Sequence, residues 1–153
     1  RETLVDAYGG SGLFSVFLGT AARRLVGIEA QESAVQCARL NLEREGSANG
    51  TFVAGDAGEV LQEMFVRTGS AVDVLILDPP RNGCGHRVLE AASQLGPTRI
   101  VYVSCNPATL TRDCRYLAGH GYRLRHLQPL DMFPQTAHIE IVCLLQRTER
   151  TAG

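Results

Sequence analysis

Five apolar runs rich in β-branched residues alternate with amphipathic segments along this chain, and few architectures accept that alternation. The runs are Thr3 to Ala7, Leu25 to Glu29, Thr51 to Ala54, Val72 to Leu77 and Arg99 to Val103. Helical patterning falls between and after them, over Leu13–Ala22, Glu32–Glu45, Gly58–Thr68, Val88–Leu95 and Pro107–Ala118. Strand and helix in turn predict an α/β domain, a parallel sheet covered by its crossover helices. The fifth helix has the clearest boundaries. Asn106 can cap its free amides, Pro107 suits the first turn, and Gly119 or Gly121 can stop it. Two more strand-like runs follow, Tyr122 to Leu130 and His138 to Gln146, with no helix-length segment between them. They are expected to pair antiparallel and close one edge of the sheet.

Length and composition fit one domain. At 153 residues, 44% hydrophobic and 20% charged, the chain can bury a core of its own. No apolar run approaches the ~20 residues of a membrane span. A cytoplasmic protein without a membrane partner is expected, and the sequence points to no protein partner. The five cysteines (Cys37, Cys84, Cys105, Cys114, Cys143) form no Cys-x-x-Cys pair, so neither a metal knuckle nor a disulfide framework is expected. A net charge of −1 is not that of a self-sufficient nucleic-acid binder. All fifteen basic residues are arginine, which suits phosphate contacts but is better explained by GC-rich coding. Arg1 and Glu2 lead straight into the first strand, so residues 1–153 are read as the end portion of a longer protein.

Four stretches carry candidate chemistry. The first is the turn from Asp6 to Gly12, Asp-Ala-Tyr-Gly-Gly-Ser-Gly, between a strand and a helix. Its glycines let the backbone turn tightly and approach a ligand. Glu29 ends the second strand, where an acid can accept hydrogen bonds from ribose hydroxyls, and Asp56 follows the third, where it could face an adenine amino group. One such acid is usually a helix cap, but three with the glycine turn favour a nucleoside ligand. The turn lacks the Gly-Lys-Ser/Thr ending of a phosphate loop, and Ser15 stands where a dinucleotide fingerprint needs glycine. The second stretch, Asp78-Pro-Pro-Arg-Asn-Gly83, leaves the fourth strand through a rigid double proline that aims Asp78 and Arg81 outward.

The third stretch runs from Val103 to Pro107 and holds Cys105 between a strand end and a capped helix. Positive potential at a helix start favours a thiolate. Cys37, Cys114 and Cys143 fall inside elements and are expected to be buried; Cys84 lies in a loop and stays open. The fourth stretch, Asp131 to Glu140, sets His138 and Glu140 on one face of the last strand. A charge within so apolar a strand needs a partner or a task.

Together these residues resemble the RNA (uracil-5-)-methyltransferases that act on transfer and ribosomal RNA. The likeness runs in order from Asp6 to Leu145, and its most specific parts are Leu77 to Gly83, Tyr102 to Pro107 and Asp131 to Glu140. It implies a Rossmann-like class I S-adenosylmethionine-dependent methyltransferase sheet. In that family Cys105 matches the nucleophile and Glu140 the base that removes the C5 proton. Asp6, Tyr8, Gly10, Gly12, Glu29, Asp56 and Asp78 match the S-adenosylmethionine site, and Arg81 is expected to hold a substrate oxygen. Gly9 departs from the family, which commonly has cysteine there. An RNA-binding portion upstream of residue 1 is implied as the main grip on rRNA or tRNA. The chemistry is consistent: a thiolate adding to C6 makes C5 nucleophilic, and a base must then take the C5 proton. Cytosine-5 and adenine-amino methylation are the enzymatic rivals, and a non-catalytic cofactor-binding or RNA-scaffold module is the other class. Arg81 in place of an aromatic, and a cysteine it would not need, weigh against the adenine enzyme; the likeness at Ser104-Cys105-Asn106-Pro107 points to uridine rather than cytosine; and the presence of both Cys105 and Glu140 weighs against the non-catalytic module.

Overall fold

The computed structural model describes residues 1–69, 72–132, 134–136 and 139–148. Its elements are β1 (Thr3–Ala7), α1 (Leu13–Gly19), β2 (Arg24–Glu29), α2 (Glu32–Arg44), β3 (Gly50–Ala54), α3 (Ala57–Thr68), β4 (Val74–Leu77), α4 (His86–Leu95), β5 (Arg99–Ser104), α5 (Pro107–Gly119), β6 (Tyr122–Leu130) and β7 (Glu140–Arg147). Among the described residues the strands form one sheet in the order β3-β2-β1-β4-β5-β7-β6. Strands β1 to β5 are parallel, and β7 runs antiparallel to both β5 and β6. The expected parallel sheet with an antiparallel pair at its end is what forms. The order within the pair is new: the last strand inserts beside β5 and leaves β6 at the edge.

Burial explains the strand sequences. All residues of β1 and β4 are buried, as central parallel strands require. In β5 and β7 burial alternates, with Ile100, Tyr102, Ser104 and Ile141, Cys143, Leu145 on the covered face. That face joins α3, α4 and α5 through Leu61, Val88, Leu95 and Leu117. A second core, with Val35, Ala38 and Leu42 of α2 against Leu25, Phe52 and Ile76, fills the other face. Edge strand β6 is mostly exposed, but a register shift between Leu124 and His126, two arginines and Pro129 make it a poor template for further pairing.

Most boundaries fall within one or two residues of expectation, and two of the differences have visible reasons. Helix α1 stops at Gly19 rather than Ala22 because the Asn49 amide donates to the carbonyls of Gly19 (2.8 Å) and Ala22 (2.7 Å), which fixes a turn there. Strand β4 starts at Val74 rather than Val72 because the Asp73 carboxylate accepts the amide of Thr3 at 2.7 Å. His138 lies outside the described residues.

The glycine turn is built on Phe52, which is 4% exposed. A Cβ on Gly27 would lie 2.3 to 2.5 Å from three of its ring atoms, and one on Gly9 would lie 2.8 Å from Cε1. The Phe52 ring therefore occupies the space a side chain at position 9 would need. Gly27→Ala is expected to cost about 1–3 kcal/mol by overpacking, read by urea unfolding. Phe52→Leu in the same chain should recover part of that loss. Additive costs in the double variant would show that ring and glycine are not coupled.

Candidate active site

Strand order reverses between β1 and β4, since the chain leaves β1 toward β2 and later continues from β4 toward β5. Ligands of open α/β sheets bind at such a point, beyond the carboxyl ends of the strands. Six neighbouring strands bring a candidate residue to this edge: Asp56 after β3, Glu29 in β2, the turn after β1, Asp78 after β4, Cys105 after β5 and Glu140 in β7. Only β7 does so with its first residue, because it runs the other way.

The nucleoside half is shaped by backbone bonds. Tyr8, Gly10 and Gly12 all have positive φ, of 66°, 53° and 88°. Tyr8 pays that strain as a non-glycine residue. The Glu29 carboxylate accepts the amides of Gly10 (3.0 Å) and Gln31 (2.9 Å), which locks it beside the turn. A carboxylate offers about four acceptor sites, so Glu29 keeps capacity for two hydroxyls. A Cβ on Gly10 would meet nothing within 4 Å, so the turn is open there. Gly12 instead packs on α2, its Cβ position 3.2 Å from that of Ala38.

The other expected residues divide in role. Asp56 does cap α3, accepting the Glu59 amide at 3.1 Å, so one of its oxygens is spent on the helix. Tyr8 packs its ring against the larger core and interacts with the Cys84 thiol; burial and that neighbour push its phenol well above its ordinary range. Asp6 is fully buried. Its Oδ2 accepts the Ser15 hydroxyl at 2.6 Å, while Oδ1 has no partner among the described residues. An orphaned acceptor beneath an open glycine turn fits a ligand that brings a donor or positive charge.

Cys105 is half-buried at the crevice, one residue before the cap of α5. The Asn106 side chain accepts the Ala108 amide at 3.0 Å and donates to the Arg81 carbonyl at 3.1 Å. The Cys105 turn and the double-proline loop are thus one unit. Glu140 is half-buried on β7, and Ser104 of β5 pairs with Ile141. Cys105 and Glu140 are the next residues outward from that rung. Asp78, though exposed as a residue, has its carboxyl raised by partial desolvation and then by the charge of Glu140, so the two acids share the crevice.

Three of the remaining cysteines are poorly suited to thiolate chemistry. Burial pushes Cys84 up to about 12 and Cys114 up to about 12, and raises Cys143 as well. Cys37 is exposed on α2, not buried as expected, because the buried stripe of that helix is Val35, Ala38 and Leu42. Sequence reasoning passed over Ser15, Tyr102, Thr109, Arg112 and Asp113. A signal for Asp113 was present: on α5 it shares the buried stripe with Leu110 and Leu117.

A family model described as tRNA (Uracil-5-)-methyltransferase matches residues 1–148. A relative from Geobacter sulfurreducens, described as an uncharacterized RNA methyltransferase, is 48% identical over 145 residues, 95% of this chain and 29% of its own length. One from Listeria monocytogenes, described likewise, is 45% identical over 145 residues, covering 95% of this chain and 32% of its own. The chain thus spans about a third of the length of the curated relatives it matches. Among solved structures, the tRNA (uracil-54, C5)-methyltransferase of Pyrococcus abyssi, in complex with S-adenosyl-L-homocysteine, superposes with a TM-score of 0.81 at 34% identity. The match covers 95% of this chain and 34% of that one. The sheet is that of the class I methyltransferase fold.

The buried acid gives a pH test. Burial raises the Asp6 carboxyl from 3.8 to about 6; the Ser15 hydrogen bond opposes the rise and the Asp78 charge adds to it. The folded state therefore holds a proton that the unfolded chain has lost between those values. Stability from this group is complete below about pH 4 and is lost as pH rises through 6, by roughly 3 kcal/mol at most. Asp6→Asn has no such titration. Its melting temperature relative to wild type should climb between pH 4 and pH 7; a gap that does not change with pH would contradict the assignment.

Proposed function

The chain belongs to the tRNA (uracil-5-)-methyltransferase family, and we propose that it is the catalytic part of an enzyme that methylates carbon 5 of a uridine in transfer or ribosomal RNA. The observation that supports the reading is the register of β5 and β7: Ser104 pairs with Ile141, and Cys105 and Glu140 are the next residues along the two chains toward the same edge of the sheet. A half-buried thiol at a helix start and a carboxylate across from it are the two groups this chemistry needs.

The cofactor of this reading is S-adenosylmethionine. Glu29 would take the ribose hydroxyls, the open turn at Gly10 the adenosine, and the acids Asp6 and Asp78 the positive end. When bound, the cofactor supplies an electrophilic methyl group on a sulfonium. Everything else falls to the chain. The Cys105 thiolate adds to C6 of the flipped uracil, and the electron pair of the C5–C6 double bond is driven toward C4–O4, making C5 nucleophilic. After C5 has taken the methyl group it carries both methyl and hydrogen. Glu140 removes the hydrogen as a proton, the double bond re-forms, and the Cys105 sulfur leaves. Arg81, on the loop tied to Asn106, would hold an oxygen of the substrate. With a net charge of −1, this part binds RNA weakly in our reading, and other parts of the longer protein choose the RNA.

The test uses the full-length protein and RNA containing 5-fluorouridine, whose C5 substituent cannot leave as a proton. A covalent complex that survives denaturing electrophoresis should form with wild type and with Cys84→Ala but not with Cys105→Ala. Glu140→Gln should accumulate the same kind of complex on ordinary uridine, because its adduct cannot be resolved. A Cys105→Ala protein that still forms the complex would remove Cys105 as nucleophile.

A further inference from the structure

The face of α5 that carries Thr109, Arg112 and Asp113 grips the loop after β4 through its backbone. Asp113 is 0% exposed. Its Oδ2 accepts the Cys84 amide at 2.8 Å and the Tyr102 hydroxyl at 2.6 Å, and its Oδ1 accepts Nε of Arg112 at 2.8 Å. Arg112 in turn donates to the carbonyls of Asn82 (3.0 Å) and Cys84 (3.3 Å), and Thr109 donates to the Arg81 carbonyl at 3.2 Å. The loop is seated without spare room. A Cβ on Gly83, whose φ is +75°, would lie 2.6 Å from Asp113 Oδ2, 2.7 Å from Arg112 Nη2 and 3.0 Å from the Thr109 Cβ.

The anchors bracket the thiol. Tyr102 lies three residues before Cys105, and Asn106, which also holds the Arg81 carbonyl, lies one residue after it. One buried carboxylate thus holds both β5 and the loop that carries Asp78 and Arg81. For stability alone this is an uneconomical device, since a leucine at 113 would continue the apolar stripe of Leu110 and Leu117 without burying a charge. What the polar version adds is a fixed distance between loop and nucleophile.

We propose that Thr109, Arg112 and Asp113 are positioning residues for methyl transfer: they set where the Asp78–Arg81 loop stands relative to Cys105, and so the attack geometry on the pyrimidine. This rests on the function proposed above. A displacement of about 1 Å in such a geometry can cost about 10²-fold in rate.

The test is the double variant Thr109→Val/Arg112→Met in the full-length protein, assayed for 5-methyluridine in RNA from cells lacking the protein. Both side chains are at least partly exposed, so the substitutions cut no hole in the core; Arg112→Met does take the guanidinium from the buried Asp113 carboxylate, and the folded fraction is therefore measured beside the rate. The expected result is a kcat lowered by about 10²-fold, with KM for RNA and affinity for S-adenosylhomocysteine within about twofold of wild type. Amide exchange at Gly83 and Cys84 should accelerate, and Arg112→Lys, which keeps a donor, should lose less than Arg112→Met. An unchanged kcat overturns the proposal. So does a raised KM with kcat intact, which would make Arg112 an RNA contact, or a loss that only tracks the unfolded fraction. Wild-type protein that forms no 5-methyluridine overturns the function reading and the positioning role together; wild type that forms it beside equally active variants overturns the positioning role alone.

Discussion

One strand running against the others makes the crevice what it is. In a sheet of parallel strands every carboxyl end faces the same way, and residues at the amino ends stay out of reach. Because β7 returns antiparallel beside β5, its opening residue Glu140 arrives where the parallel strands finish. The pairing register decides which face it joins. Slipping β7 by one residue would send Ile141, Cys143 and Leu145 out of the larger core and turn Glu140 toward it. The apolar alternation that packs β7 is therefore also what aims the carboxylate.

Charge is distributed along the edge with equal economy. Asp6, Asp78 and Glu140 come from β1, the end of β4 and β7; burial raises the first two above all, and the charge of Asp78 on Asp6 and of Glu140 on Asp78 adds to it. A row of acids whose repulsion is unrelieved favours a cationic ligand, and a sulfonium is one. On the far side of β5 the polarity changes: Asp113 has its amide, hydroxyl and guanidinium partners in place. Near β1 the buried Asp6 Oδ1 has no hydrogen-bond partner among the described residues, whereas the carboxylate of Asp113 on α5 is satisfied within the chain.

The sequence was readable wherever a local rule decided the outcome. The boundaries of β1, the start of α5 at Asn106 and Pro107, and the antiparallel pairing of the last two runs follow from pattern and capping alone. Where two segments distant in sequence decided, reading failed. Asn49 ends α1 from the start of β3, and Asp73 shortens β4 by reaching for Thr3. The insertion of β7 between β5 and β6 is a matter of strand order, on which hydrophobic alternation is silent. Among the candidate residues, Cys105 stood out by its place before a capped helix, Glu140 was singled out by the family resemblance, and Asp56 proved to be a cap besides. Asp113 was legible as an acid in an apolar stripe, but its partners Cys84 and Tyr102 lie 29 and 11 residues away.

The insertion of β7 also orders events during synthesis. Strand β6 leaves the ribosome before β7, yet it touches β5 only through β7. Until β7 emerges, the rim of β5 stays open to any extended segment nearby, including β6. Closure must wait for β6 and β7 to dock together, so a nascent chain holds the glycine turn, Asp78 and Cys105 well before it holds Glu140. Chains released before residue 140 would carry Cys105 without Glu140, together with an unpaired edge of the kind that feeds misassembly.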